Sequence, residues 1–364
     1  FMPDGERLYL DEIKWDYIII DEASMIPIAN IVYPLYKKSP KKFIVAGDPF
    51  QIEPITSVDM WKNENIYTMV KLNSFAAPST IPHRYKVTTL KTQYRSIPAI
   101  GNVFGKLTYD GIIKHNRTSA SQKKLGIKGR LNIKSLNIIK FPVSRYESIY
   151  RTKRLNGSSA YQVYSALFAS EFTVFLAKLI SECNRKEQFS VGVIAPYRAQ
   201  ADLIDKLTSS MVVPKNIELS VGTIHSFQGD ECDIIIAVFN PPPVITDSDE
   251  MFLNKKNIIN VSLSRARDYL FMIMPDGRTD NISNLKVIRK AEALFKSSGS
   301  FTEFGSHEVE KVMFGSESYL EENTFTTGHQ SVNVYAVPEK KYEIRSEDSA
   351  VDLQVRRAAK EREL

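Results

Sequence analysis

The sequence predicts an α/β protein built on open, mostly parallel sheets with helices on both sides. Two observations carry this. Apolar, β-rich runs of four to six residues recur, each closed by a polar or glycine-containing turn, which suits strands buried on both faces. Helical patterns lie between several of these runs, the alternation that gives an α/β sheet rather than a bundle or a sandwich.

Taken in order, Tyr17–Ile20 is an apolar run that ends in Asp21-Glu22. Residues 43–46 (Phe-Ile-Val-Ala) run into Gly47-Asp48. The segment 78–82, Pro-Ser-Thr-Ile-Pro, has the composition of a linker between two lobes. Residues 158–183 read as a helix, 191–195 as a strand closed by Pro196-Tyr197, and 199–207 as a second helix. Residues 234–239 form a strand entering Asn240-Pro241. After Pro275-Asp276-Gly277 the rhythm changes, with a helix over 284–296, a β-like patch at 332–335, and a final twenty residues that read as helical or disordered. Three regions are expected: 1–82, 83–276 and a small extension, 277–364. In open α/β sheets ligands bind beyond the carboxyl ends of strands, where the polar turns fall.

Composition narrows the function. With 43% hydrophobic and 25% charged residues the chain forms a core, which excludes collagenous and wholly disordered classes. Its apolar runs are too short to cross a bilayer. No signal-peptide pattern follows Phe1, so a cytoplasmic protein with no membrane partner is expected. Cys183 and Cys232 stand 49 positions apart without a CxxC, so neither a disulfide framework nor a zinc site is expected. Lysine and arginine exceed acids by 48 − 42 = 6, and the excess is local: residues 114–154 hold 12 basic residues against Glu147 alone. Such a stripe attracts phosphodiester backbones, although a solvated basic loop is the plainer reading of it in isolation. Tyr146, Tyr150 and Tyr161 in or near the stripe could stack on bases.

The chemistry lies in the turns. Trp15-Asp16-Tyr17-Ile18-Ile19-Ile20-Asp21-Glu22-Ala23-Ser24 puts two carboxylates at a strand end, as a nucleoside-triphosphatase needs to hold Mg²⁺ and orient a water. Gly47-Asp48-Pro49-Phe50-Gln51 follows, then Gln93-Tyr94-Arg95-Ser96-Ile97-Pro98 with Tyr109-Asp110-Gly111. Further on come 194–200 (Ile-Ala-Pro-Tyr-Arg-Ala-Gln), 223–231 (Thr-Ile-His-Ser-Phe-Gln-Gly-Asp-Glu) and 260–267 (Asn-Val-Ser-Leu-Ser-Arg-Ala-Arg). These six segments, in this order, resemble the motor of a superfamily 1 helicase, in the branch of the nonsense-mediated-decay RNA helicase and its DNA-acting relatives.

The resemblance implies a RecA-like P-loop NTPase fold, with the second half of a first lobe and a complete second lobe, working on ATP with Mg²⁺. Asp21 would hold the metal and Glu22 would act as general base, a contribution of about 10²–10⁴ in rate. Gln51 would sense the γ-phosphate, and Arg95 and Arg265 would be arginine fingers, worth about 10³–10⁵. Glu231 would accept from the ribose, with Gln228 and Gly229 beside the nucleotide. Thr223 and the turn of Pro196, Tyr197 and Gln200 would meet a single strand through its phosphates, so little base specificity is expected. DNA is favoured over RNA on the form of 223–231, with translocation 5′ to 3′ as in that branch. His225 reads as a neutral hydrogen-bonding residue rather than a catalyst.

Two departures matter. A phosphate-cradling GxxxxGK[ST] is absent; the nearest string, 101–107, has its glycines one residue too close and Leu107 where a hydroxyl belongs. The expected partner is therefore an upstream part of the same protein carrying that loop, and this chain by itself is expected to be inactive as an ATPase. Glu53, in Ile52-Glu53-Pro54, puts an acid where relatives have a proline run, which counts against a strand contact there. The rival reading is a non-catalytic nucleic-acid-binding or scaffold module derived from a helicase. The intact carboxylates and arginines argue against it.

Overall fold

The computed structural model describes residues 14–54, 61, 64–72, 86–127, 129, 131–155, 159–227, 229–279 and 281–324, and the backbone of 332–337, 340–345 and 354–358. The expected linker at 78–82 lies outside these residues. The chain divides into two compact units, 1–89 and 90–364.

In the first unit β1 (Tyr17–Ile20) pairs in parallel with β2 (Lys42–Val45), Tyr17 opposite Lys42 and Ile20 opposite Val45. Between them α1 (Ile28–Lys38) turns Ile28 and Ile31 inward and stops at Ser39, whose φ of 43° ends the helix. The short α2 (Ile66–Met69) is held by a capping box: Asn65 Oδ1 accepts from the amides of Tyr67 and Thr68, and Thr68 Oγ1 accepts from the Asn65 amide. Ala23, Ile31 and Tyr67 form a small core. Burial on both faces, expected from the apolar runs, is not found here: Ile19 is 70% exposed and Phe43 55%, while Ile18 is buried.

The second unit is a RecA-like α/β fold. Its leading elements are β3 (Thr92–Gln93), α3 (Pro98–Thr108) and β4 (Lys114–His115), followed by β5 (Leu136–Phe141) and the hairpin of β6 (Thr152–Leu155) and β7 (Ser159–Gln162). Then come α4 (Val163–Cys183), β8 (Phe189–Ala195), α5 (Arg198–Ser209), β9 (Ile217–Thr223) and β10 (Cys232–Val238). It continues with α6 (Lys256–Ser264), β11 (Ala266–Pro275), α7 (Lys286–Lys296), β12 (Phe301–Gly305), α8 (Ser306–Phe314) and α9 (Tyr319–Glu322). Six parallel strands form one sheet in the order β12-β5-β11-β10-β8-β9.

The sheet's near-continuous apolar strands are buried as expected; every residue of β10 is buried. Helix α4 is apolar all round, with 89% of its most apolar window buried, and it lies in the core. By length and composition it is apolar enough to cross a membrane, although no uninterrupted apolar run shows this, because serines and Glu171 punctuate it. Phe168 stacks on Phe172 with centroids 5.9 Å apart, and Phe172 meets Phe271 of β11 edge-on at 5.3 Å.

The residues after 276 do not leave this unit. β12 extends the sheet beyond β5, and Lys140 on β5 bridges Glu292 of α7 and Glu303 of β12, both at 2.9 Å. Helix α8 is tied to α4 where the buried Tyr164 hydroxyl donates to Glu310, with Ser306 Oγ at 2.7 Å. The β-like patch near 332–335 is β13 (Val332–Val337), which forms an antiparallel sheet with β14 (Lys340–Arg345) and β15 (Gln354–Ala358). The last twenty residues therefore contribute a strand, against the helical or disordered reading. Gln354-Val355-Arg356-Arg357-Ala358 carries one β-branched residue, so pairing with β14 rather than local propensity makes it a strand.

Candidate functional site

In the first unit both motif turns follow strand ends. The chain leaves β1 through Asp21 into Glu22, which sits at φ 50° and ψ 38°, a left-handed conformation uncommon for a non-glycine residue. Asp21 accepts from the Glu22 amide at 2.8 Å. The turn after β2 is laid against this one: the amide of Ala46 donates to Ile20 O at 2.8 Å and that of Ala23 to Ala46 O at 3.1 Å. Gly47 makes the approach possible, since a Cβ there would stand 2.9 Å from the Ala23 nitrogen and 2.8 Å from the Tyr67 hydroxyl. Asp48 fixes Gln51 by accepting from its Nε2 at 3.3 Å. Gln51 Oε1 and the Tyr67 hydroxyl are both buried without a hydrogen-bond partner among the described residues. Burial, helped by Asp48, Asp21 and Glu22, pushes the Tyr67 phenol up to about 12. The sequence thus brings Asp21, Glu22 and Gln51 to neighbouring turns. Tyr67 was not anticipated; its signal is distance in space, which spacing along the chain cannot carry.

In the second unit the arginines gather at the amino ends of β10 and β11. Arg95 donates from Nε to Glu231 at 2.8 Å and from Nη1 to Ser264 O at 3.2 Å. Glu231 also takes Arg267 Nη1 at 3.1 Å. Arg265 follows Ser264 directly and is 1% exposed. The segment holding Arg95 is locked by Gln93, whose side chain both accepts from the Ser96 amide and donates to Ser96 O, each at 2.8 Å. Ser96 Oγ donates to Ala266 O at 2.6 Å, and Ile97 N to Arg267 O at 3.0 Å.

Arg117 completes the lock. It donates to Arg95 O at 2.8 Å, Arg267 O at 3.3 Å and the buried Asp268 at 2.7 Å. In the sequence it is one residue of the basic stripe, with nothing to mark this role. The Tyr109-Asp110-Gly111 turn ends α3 with Gly111 at φ 73°, its amide returning to Gly105 O at 2.9 Å. The Tyr109 hydroxyl accepts from Asn260 Nδ2 at 2.8 Å, tying α3 to α6. The rejected loop string 101–107 lies within α3, an ordinary helix.

The expected strand contacts fall at the opposite end of the sheet. Ala195 pairs with Thr223 in register, so Pro196-Tyr197 and Thr223 are neighbours at the carboxyl ends of β8 and β9. Tyr197 is half-buried and packs on Phe252 with centroids 5.5 Å apart. Burial raises its phenol above the ordinary range, and Arg154 acts against that. Gln200 is fully buried; its Oε1 accepts from Gln162 N at 2.8 Å and its Nε2 donates to Ser165 Oγ at 3.0 Å. It fixes the turn from beneath, and Pro196 is buried as well. His225 is half-buried, and burial holds its imidazole below its usual value. Gly229 is exposed at φ 87°; Gln228 lies outside the described residues. With β8, β9 and β10 each seven residues long, at roughly 3.3 Å per residue, about 20 Å separate the arginine end from the Thr223 end.

Comparison with known proteins adds names. The profile of a family described as "AAA domain" matches residues 72–276. The DNA replication ATP-dependent helicase/nuclease dna2 of Schizosaccharomyces pombe is 28% identical over 70% of this chain and 18% of its own length. The 5'-3' DNA helicase ZGRF1 of Mus musculus is 24% identical over 72% of this chain and 13% of its own. ECM32 of Saccharomyces cerevisiae, provisionally named an ATP-dependent RNA helicase, is 24% identical over 77% of this chain and 26% of its own. The chain thus spans between about an eighth and a quarter of these relatives.

Proposed function

Because the chain belongs to the AAA domain family, among the superfamily 1 helicases, we propose that it is part of an ATP-dependent motor that moves along single-stranded nucleic acid. The observation that carries this is the sorting of motif residues to the two ends of one sheet. Arg95, Glu231 and Arg265 gather at the amino end, while Thr223 and Tyr197 stand together at the carboxyl end. A motor needs such separation, because strand handling and phosphoryl transfer are different chemistries that one rigid element must couple.

The residues of the first unit fit a Mg²⁺-nucleotide. Two buried polar atoms without a partner among the described residues, Gln51 Oε1 and the Tyr67 hydroxyl, belong to the same cluster as Asp21 and Glu22. Asp21 would hold the metal, which when bound would neutralise phosphate charge. Glu22, at a left-handed turn directly after Asp21, would take the proton of the attacking water. Gln51, fixed by Asp48, reads the γ-phosphate. Arg95 and Arg265 stabilise charge developing on the transferred group. Glu231 already holds two arginines, yet a carboxylate offers about four lone-pair sites, leaving room for a ribose hydroxyl. Gly229, and Gln228 beside it, flank the nucleotide.

The sequence holds no GxxxxGK[ST], so the phosphate cradle comes from another part of the same protein and this chain alone turns over ATP negligibly. β1 and β2 pair only with each other among the described residues, and the exposed Ile19 and Phe43 leave a face of that sheet uncovered, which supports further elements of the protein joining it. DNA is favoured over RNA, in keeping with two relatives named for DNA and against one named for RNA.

The test is turnover in the protein that carries the cradle. Glu22→Gln and Arg265→Lys each abolish strand-stimulated hydrolysis, the arginine by about 10³–10⁵, while nucleotide binding stays within a few-fold. Lysine keeps the buried charge, so the loss is not one of folding. Turnover that survives either change refutes the assignment.

A further inference from the structure

The hydroxyl of Tyr67 is not explained by the packing of its ring. The ring belongs to the small core of the first unit, with Ala23 and Ile31, where phenylalanine would fill nearly the same volume. Yet the side chain carries an O–H that is buried without a hydrogen-bond partner among the described residues, on a residue only 8% exposed. Burying an unpaired hydroxyl opposes folding, so packing alone favours the side chain that lacks it. A buried polar group of this kind calls for a use beyond packing.

The backbone aims the hydroxyl at the carboxylate turns. Tyr67 stands in the first turn of α2, which Asn65 and Thr68 cap, and its carbonyl accepts from the Leu72 amide at 2.7 Å, so the residue is fixed from both sides. Its hydroxyl reaches the bare Cα of Gly47. The point a Cβ would occupy there is 2.8 Å from that hydroxyl, 2.9 Å from the Ala23 nitrogen and 3.4 Å from the Glu22 carbonyl carbon. The hydroxyl therefore shares one small space with the Glu22–Ala23 peptide, at the left-handed turn that carries Glu22. The charges of Asp48, Asp21 and Glu22 all reach it. Gln51 Oε1, the other buried atom of this cluster, can only accept, so the phenol is the neutral group there with a proton to donate. We propose that Tyr67 is a positioning residue of the nucleotide site: its hydroxyl donates into the Asp21–Glu22–Asp48 cluster when Mg²⁺-nucleotide is bound, and so fixes the Glu22 carboxylate for proton removal. It acts through Glu22 and not on the nucleotide itself. The inference rests on the reading of these turns as the metal and general-base site.

The test uses the protein that carries the phosphate cradle. Tyr67→Phe removes one hydrogen bond to a charged group, so kcat falls by about 10- to 100-fold, while KM and the affinity for a non-hydrolysable Mg²⁺-nucleotide stay within about twofold. Fluorotyrosine placed at position 67 keeps the donor; it retains the parent's kcat, and its fluorine resonance shifts when that nucleotide is added. Urea unfolding of Tyr67→Phe matches the parent or improves on it, which separates lost positioning from lost packing. An unchanged kcat with an unmoved fluorine resonance, or a kcat loss accompanied by a lower urea midpoint, overturns the assignment. Glu22→Gln is the control. If it abolishes turnover while Tyr67→Phe leaves turnover as it was, Tyr67 only packs and the nucleotide site stands. Turnover that survives Glu22→Gln removes the site itself.

Discussion

Arg117→Ala is the most informative single change in the second unit. The guanidinium joins three parts of the arginine cluster: Arg95 O, Arg267 O and the carboxylate of Asp268, at 2.8, 3.3 and 2.7 Å. The Asp268 side chain is 1% exposed and that of Arg117 14%, so removing the arginine strands a buried charge. Breaking a buried pair from one side costs about 3–5 kcal/mol, and Arg267 near Asp268 holds the value to the lower end, about 3 kcal/mol. Desolvation already pushes the Asp268 carboxyl upward against the pull of Arg117, so its loss favours protonation. Asp268→Asn, which keeps the volume, then recovers much of the loss in the double variant, with a coupling of about 2 kcal/mol. Urea unfolding of the four proteins at equal m-value measures this. A loss under about 1 kcal/mol in Arg117→Ala, or strict additivity in the cycle, would refute the clamp.

Other outcomes follow from burial and charge. The Tyr67 phenol at about 12 lies above its unfolded value near 10, so its contribution is complete below pH 10 and is lost as pH rises through 12. That loss is on the order of 2–3 kcal/mol, and Tyr67→Phe removes it in alkaline unfolding while costing little at neutral pH, because the hydroxyl is unsatisfied. Cys183 is exposed and Cys232 is buried with its thiol pushed up to about 12, so a maleimide at pH 8 labels one site in the native chain and two in urea; native labelling at both sites contradicts this. Phe172→Ala opens a hole between Phe168 and Phe271 and lowers unfolding free energy by about 3–5 kcal/mol in the same urea assay.

The central strands β8 and β10 were legible because they are apolar on both sides and run into turns at Pro196 and Asn240, whereas β9 and β12, mixed in sequence and only partly buried, were not. The motif positions were legible too, since short spacing fixes which residues share a turn. What the sequence hides is which charges point outward. Arg117 and Arg145 belong to the same basic stripe, yet one closes on a buried aspartate and the other lines a groove. Gln200 reads as a contact residue from its place in the turn, but Gln162 and Ser165 consume both ends of its carboxamide. Its partners lie 38 and 35 residues away, beyond what local pattern can express. The exposure of Ile19 and Phe43 was hidden for a related reason, because an apolar strand says that a face wants cover, not what covers it.

We have proposed that the chain grips a single strand and takes its phosphate cradle from elsewhere in the same protein. ATP turnover of the purified chain, with and without single-stranded DNA and RNA and beside its affinity for each, tests it most directly. The account predicts strand binding that falls with salt and no turnover above background. Strand-stimulated hydrolysis that Glu22→Gln abolishes would contradict it, as would a chain that binds neither strand.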